Sequence, residues 1–160
     1  MTDAEDIVKR FTGDKYEWTG DVVYPFWDDR ELYTIFTLGD GITFPTRRQI
    51  GLLQQLLDYP RNIRPEVEQV LFAHYQNEIY LSVMERGRDD EELTPKLDSS
   101  EQIWDVLGDP SVRIDDSGDD EPGEGLRFRL SYYGCPWDEE HGFGIQMQDW
   151  RVVAFGGEIG

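Results

Sequence analysis

LYTIFTLGDGITFPTRRQIGLLQQLL, residues 32–57, changes its apolar period in mid-course. Up to Leu38 it alternates in twos, with Leu32, Thr34, Phe36 and Leu38 set against Tyr33, Ile35 and Thr37, which is the pattern of a central strand with some cover on each face. Gly39-Asp40-Gly41 reads as a tight turn into Ile42, Thr43 and Phe44. From Pro45 onward the period becomes about 3.6. Thr46 followed by Gln49 forms a capping box, in which the hydroxyl accepts from a first-turn amide and the Gln side chain reaches back to the cap. The spacing therefore predicts a helix. Ile50, Leu53, Leu56 and Leu57 make one stripe, Leu52 widens it, and Tyr59 ends it because the residue before Pro60 resists the α region.

Tyr16 to Phe44 is rich in aromatic and β-branched residues and reads as an antiparallel meander, broken at Thr19-Gly20-Asp21 and at Trp27-Asp28-Asp29. Downstream of the first helix, Pro65 suits the first turn of a second, whose buried face is Val67, Val70, Leu71, His74, Ile79 and Val83, with a bend near Asn77. Ser99 with Gln102 caps a short helix carrying Ile103, Trp104 and Leu107, which stops at Gly108-Asp109-Pro110. Val112 and Ile114 suit a short strand, and three more follow over 126–133, 143–148 and 150–155, the last two joined by a hairpin at Asp149. The expected architecture is one α+β domain over 1–160, a mainly antiparallel sheet with about three helices inserted between N-terminal and C-terminal β segments. The segments 89–98 and 115–125 are expected to be exposed acidic loops.

The composition constrains function through charge. Asp plus Glu number 34 against 15 Lys plus Arg, a formal net charge of −19 in 160 residues, yet 38% of the chain is apolar and 13% aromatic. Aromatic content of that order belongs to a chain with a core rather than to a disordered acidic one. A folded surface of this sign repels phosphate, so neither nucleic acid nor an anionic membrane is expected as a partner, and a cationic protein is. The lone Cys135 has no disulfide partner and the N-terminus reads as neither leader nor anchor, which gives a cytoplasmic expectation.

Several chemistries can be weighed residue by residue. Cys135 to Gly142, CPWDEEHG, holds the densest set of reactive types, but a Cys–His pair needs an orienting group and an oxyanion hole, and neither is identifiable. The bland reading of that segment is a connection that closes the sheet edge with Trp137. A zinc site needs three or four ligands, and one Cys and two His without CxxC or HExxH supply no such set; His141, Asp138, Glu139 and His74 are the weak candidates for a metal. His74 on an apolar helix face is more commonly a hydrogen-bonded core residue. Read as an EF-hand from Asp115, the acidic loop puts Asp120 where Gly is required and Leu126 where the bidentate Glu belongs, leaving only weak divalent-cation binding and no dedicated cofactor. Phosphate-cradling and serine-hydrolase motifs are missing. What remains is a surface: Asp89, Asp90, Glu91, Asp115, Asp116, Asp119, Asp120 and Glu121 to steer a basic protein, with Trp137 and Glu139 for contact, amid turn-proximal aromatics Trp27, Tyr33, Tyr132 and Tyr133. The alternative to this binding module is a metal-binding or metal-dependent hydrolytic enzyme using 137–141. The bland alternative to both is that the aromatics are core and the charge confers solubility.

YEWTGDVVYPFWDDRELYTIFTLGDG at 16–41, FPTRRQIGLLQQLLDYP at 44–60 and, above all, CPWDEEHGFGIQMQDWRVVAFGG at 135–157 resemble an uncharacterised bacterial DUF6985-like domain. The sharpest part of the likeness is WDEEHGFG, Trp137 to Gly144. Similar small acidic domains occur among immunity proteins of bacterial polymorphic toxin systems. The resemblance implies an α+β cytosolic protein without an established enzymatic activity that neutralises a toxin by binding it, and it brings no catalytic residues. Asp149-Trp150, where such domains have a short turn ending in Gly, implies a bulged final hairpin.

Overall fold

A computed structural model describes residues 3–81, 95–115, 126–136 and 142–156. Among these are seven strands and four α-helices, in the order α1 (Ala4–Val8), β1 (Thr12–Gly13), β2 (Glu17–Tyr24), β3 (Arg30–Thr37), α2 (Arg47–Asp58), α3 (Arg64–His74), α4 (Ile103–Leu107), β4 (Ser111–Ile114), β5 (Arg127–Tyr132), β6 (Phe143–Gln148) and β7 (Arg151–Gly156). The strands form one sheet in sequence order, β1 to β7. Every neighbouring pair is antiparallel except β3 and β4, which run parallel with Thr34 opposite Val112 and Phe36 opposite Ile114. A parallel pair needs a long crossover, and α2 to α4 lie within it.

The α+β expectation therefore holds, with one more helix than expected and one parallel strand pair. The additional helix, α1, is capped by the Asp3 carboxylate on the Glu5 amide and buries Ala4 and Val8. Five residues, three of them apolar, are too few to display a period. Around Thr46 the capping box forms as the sequence dictates, with Gln49 N donating to Thr46 Oγ1 at 3.2 Å and Thr46 N donating to Gln49 Oε1 at 2.9 Å. The Gln49 amide nitrogen donates in turn to the carbonyls of Thr37 and Ile114, tying α2 to the ends of the parallel strands. Leu53 and Leu56 are fully buried, as the stripe requires.

Three local expectations are corrected. Thr19-Gly20-Asp21 does not break the strand: β2 runs through it, because Gly20 lets the Phe11 ring approach, and a Cβ there would lie 2.2 Å from a Phe11 ring carbon. Ile42 to Phe44 is not a strand; Ile42 and Phe44 are exposed, with the Phe44 ring set edge-on to Trp18. The bend expected near Asn77 is a π-helical extension of α3 over Tyr75–Tyr80, with Tyr75 buried and its hydroxyl donating to the Pro95 carbonyl. Val83 lies outside the described residues.

The buried residues of all four helices join one cluster with Val22, Leu32, Phe36, Val112, Leu130 and Ile145, so the described helices pack on one face of the sheet. Trp27 and Tyr132, expected near turns, are both inside it: Trp27 meets Trp104 edge-on at 5.3 Å, and the Tyr132 hydroxyl donates to the Gly108 carbonyl. Trp150 stacks on Tyr59 at 3.7 Å and meets Phe26 and Phe128 edge-on. The turn that places it has Asp149 and Trp150 both at positive φ, joining β6 and β7 by two residues. A register shift between Gln146 and Met147 makes the hairpin irregular.

Candidate functional site

The other face of the sheet is read from the same registers. Side chains alternate along a strand, so if Trp18, Val22, Tyr24, Leu32 and Phe36 face the helices, then Glu17, Asp21, Val23, Glu31, Tyr33 and Ile35 face away. Asp21 stands opposite Tyr33 and Val23 opposite Glu31. Val23 is 50% exposed and Tyr33 46%, while Ile35, between Thr19 and Arg113 in register, is 1% exposed. Past the end of β5, Tyr133 is 56% exposed, its hydroxyl 3.5 Å from an Arg113 guanidinium nitrogen. The β2–β3 half of this face is thus an apolar and aromatic patch bordered by Glu17, Asp21 and Glu31.

Across β3 the sign of charge reverses. Arg113 lies opposite Arg129, and Arg127 opposite Gln148. Asp115, expected to steer a partner, stands among these arginines: its carboxylate accepts from Thr37 Oγ1 at 3.0 Å, from Arg113 Nε at 3.1 Å and from Arg129. Burial alone would raise its pKa, but the hydrogen bonds and charges of Arg129 and Arg113 outweigh that and hold it below the usual carboxylate value. Its charge is engaged within the fold rather than directed outward.

His74 projects from the end of α3 between two aromatic rings, 4.4 Å from Phe155 and 5.9 Å from Phe143 between centroids. Burial lowers its pKa and the nearby Glu78 carboxylate opposes the shift. Among the described residues no three His, Cys, Asp or Glu side chains are grouped to hold a metal. Cys135 is buried. Asp89, Asp90, Glu91, Asp116, Asp119, Asp120, Glu121, Trp137, Asp138, Glu139 and His141 lie outside the described residues.

The acidic and aromatic alternation of β2, Glu17, Thr19, Asp21 and Val23 against Trp18, Gly20, Val22 and Tyr24, is masked in the sequence by Gly20, which has the character of a turn residue. In Arg127-Phe128-Arg129, period two likewise sends both cations to the face away from the core. Both signals were available as alternation.

No helix among the described residues is long and apolar enough to cross a membrane. No curated protein and no solved structure matches the chain. A domain of unknown function, DUF6985, matches residues 7–160, and the chain belongs to that family.

Proposed function

We propose that this protein acts by binding a cationic protein, and that within this class it is an immunity protein that neutralises a basic toxin in the cytoplasm of a bacterial cell. The observation that carries the reading is the β2–β3 patch: half-exposed Val23 and Tyr33 bordered by Glu17, Asp21 and Glu31, on a chain of net charge −19. Aromatic and aliphatic anchors supply residence time once water is excluded from them, and a surrounding acidic field speeds encounter with a basic surface. The sequence adds further acidic steering groups at Asp89, Asp90, Glu91, Asp116, Asp119, Asp120 and Glu121. A partner that is a nuclease fits the charge, because carboxylates can occupy the positions that substrate phosphates would take.

Reversing three charges, Glu17→Lys with Asp21→Lys and Glu31→Lys, is expected to slow association with the cationic partner by about tenfold at low salt and to flatten its dependence on ionic strength. Unchanged association kinetics would remove this face from the interface. The toxin-neutralising role has a separate readout: expression of the partner alone should arrest growth, co-expression of this protein should restore it, and the triple variant should restore it less.

A further inference from the structure

A concavity lies where the parallel strands β3 and β4 end against α2, and its lining runs against the character of the whole chain. Arg48, Arg113, Arg127 and Arg129, four of the 15 cationic residues, converge on a cleft of about 580 Å³ in which Asp115 is the single described carboxylate. That volume falls within the ~300–1,000 Å³ of small-molecule sites. Asp115 grips Arg113 and Arg129 together, and the three side chains retain only 29%, 23% and 24% exposure respectively, so two guanidiniums are held in place before any ligand arrives. Half-buried Leu52 of α2 gives the wall beside them an apolar surface, backed by buried Leu126 and Phe128. Gln49, fixed by its bonds to Thr37 and Ile114, closes the α2 side.

We infer that this cleft binds a small molecule bearing an oxyanion on an apolar body. Planar guanidiniums match the two oxygens of a phosphate or carboxylate, and partial desolvation strengthens each such bond. The apolar wall gives the attached body a surface to cover. The net charge of the chain repels anions at long range, but at 0.1 M salt that repulsion is screened beyond about 10 Å, and among the described residues lining the cleft the arginines outnumber the carboxylate. This site is separate from the β2–β3 patch and takes ligands of the opposite sign, so it stands or falls independently of the protein-binding reading.

The test is a titration of the uniformly labelled full chain, followed by amide and arginine side-chain NMR, with phenyl phosphate, phthalate and inorganic phosphate. Saturable shifts confined to Gln49, Ile114, Leu126 and Arg129, with an aromatic anion binding more tightly than inorganic phosphate, are expected. Phenyl phosphate ahead of phthalate assigns a phosphate ligand, and the reverse a carboxylate. The variant Arg48→Gln with Arg127→Gln leaves the Asp115 ion pairs in place and should weaken binding about tenfold or more, since each charged hydrogen bond carries a factor of that order. Arg48→Gln alone serves if the double variant loses the native spectrum, and should weaken binding in the same direction. Absence of saturation up to about 10 mM for both aromatic anions, a range that still detects binding of only a few kcal/mol, or binding left unchanged by the arginine variants, would overturn the inference.

Discussion

Asp115 shows how one residue couples charge to stability. It accepts from Thr37, Arg113 and Arg129, so Asp115→Asn removes both ion pairs at once and is expected to cost about 1–3 kcal/mol in a denaturant melt. Because its folded pKa lies below the unfolded 3.8, the stability it contributes is complete above that value and is lost as pH falls through the lower folded value. The variant's acid limb should therefore be shallower than that of the wild type when melts are recorded below about pH 4. His74 follows the same sign at a different pH. Its pKa is depressed from 6.5 by burial against Phe143 and Phe155, so it is stabilising when neutral, and stability should decline as pH drops below 6.5. His74→Phe should flatten that decline, as read by melting temperature from pH 7.5 to 5.5. Gly20→Ala tests a steric claim: with the Phe11 ring filling the Cβ position, the substitution should destabilise by about 1–3 kcal/mol despite the usual preference of strands for side chains.

At the scale of elements, α2 was legible because its start signal and its stripe agree. The Thr46 hydroxyl and the Gln49 amide form the box that the sequence spells out, and Thr46→Ala should cost about 1 kcal/mol with the loss appearing in the unfolding midpoint. The terminal strands were legible for a similar reason: alternation in 127–132 and 143–148 matches the face that enters the core. What was hidden is what depends on contacts distant in sequence. Gly20 looks like a turn residue until Phe11 is seen against it, Ile42 to Phe44 has strand composition but lies exposed outside the sheet, and four residues of β4 carry no mark of whether they pair parallel or antiparallel. The π-helical turn at Tyr75–Tyr80 announced itself only as a weak point near Asn77. The candidate face was hidden by the same error as β2, since reading Gly20 as a break scatters Glu17, Asp21 and Val23 that the continuous strand sets on one side.

At the scale of the molecule, a one-sided arrangement of helices divides labour between the two faces of the sheet. The covered face holds the aromatic core, and the other carries an acidic, partly apolar half on β2 and β3 and an arginine-rich half on β4 and β5. Net charge alone would suggest a uniformly acidic surface, whereas the strands sort it by sign. Sorting matters for recognition, because a partner is then oriented as well as attracted. Binding of a cationic protein by the acidic, apolar half can be read by capture from native cells with the tagged wild type, a Val23→Ser/Tyr33→Ser variant and a helix-side Gln69→Ala control, each quantified by mass spectrometry. One basic protein should be retained in stoichiometric amount by the wild type and the control and lost from the Val23/Tyr33 variant. Equal retention by all three would contradict it.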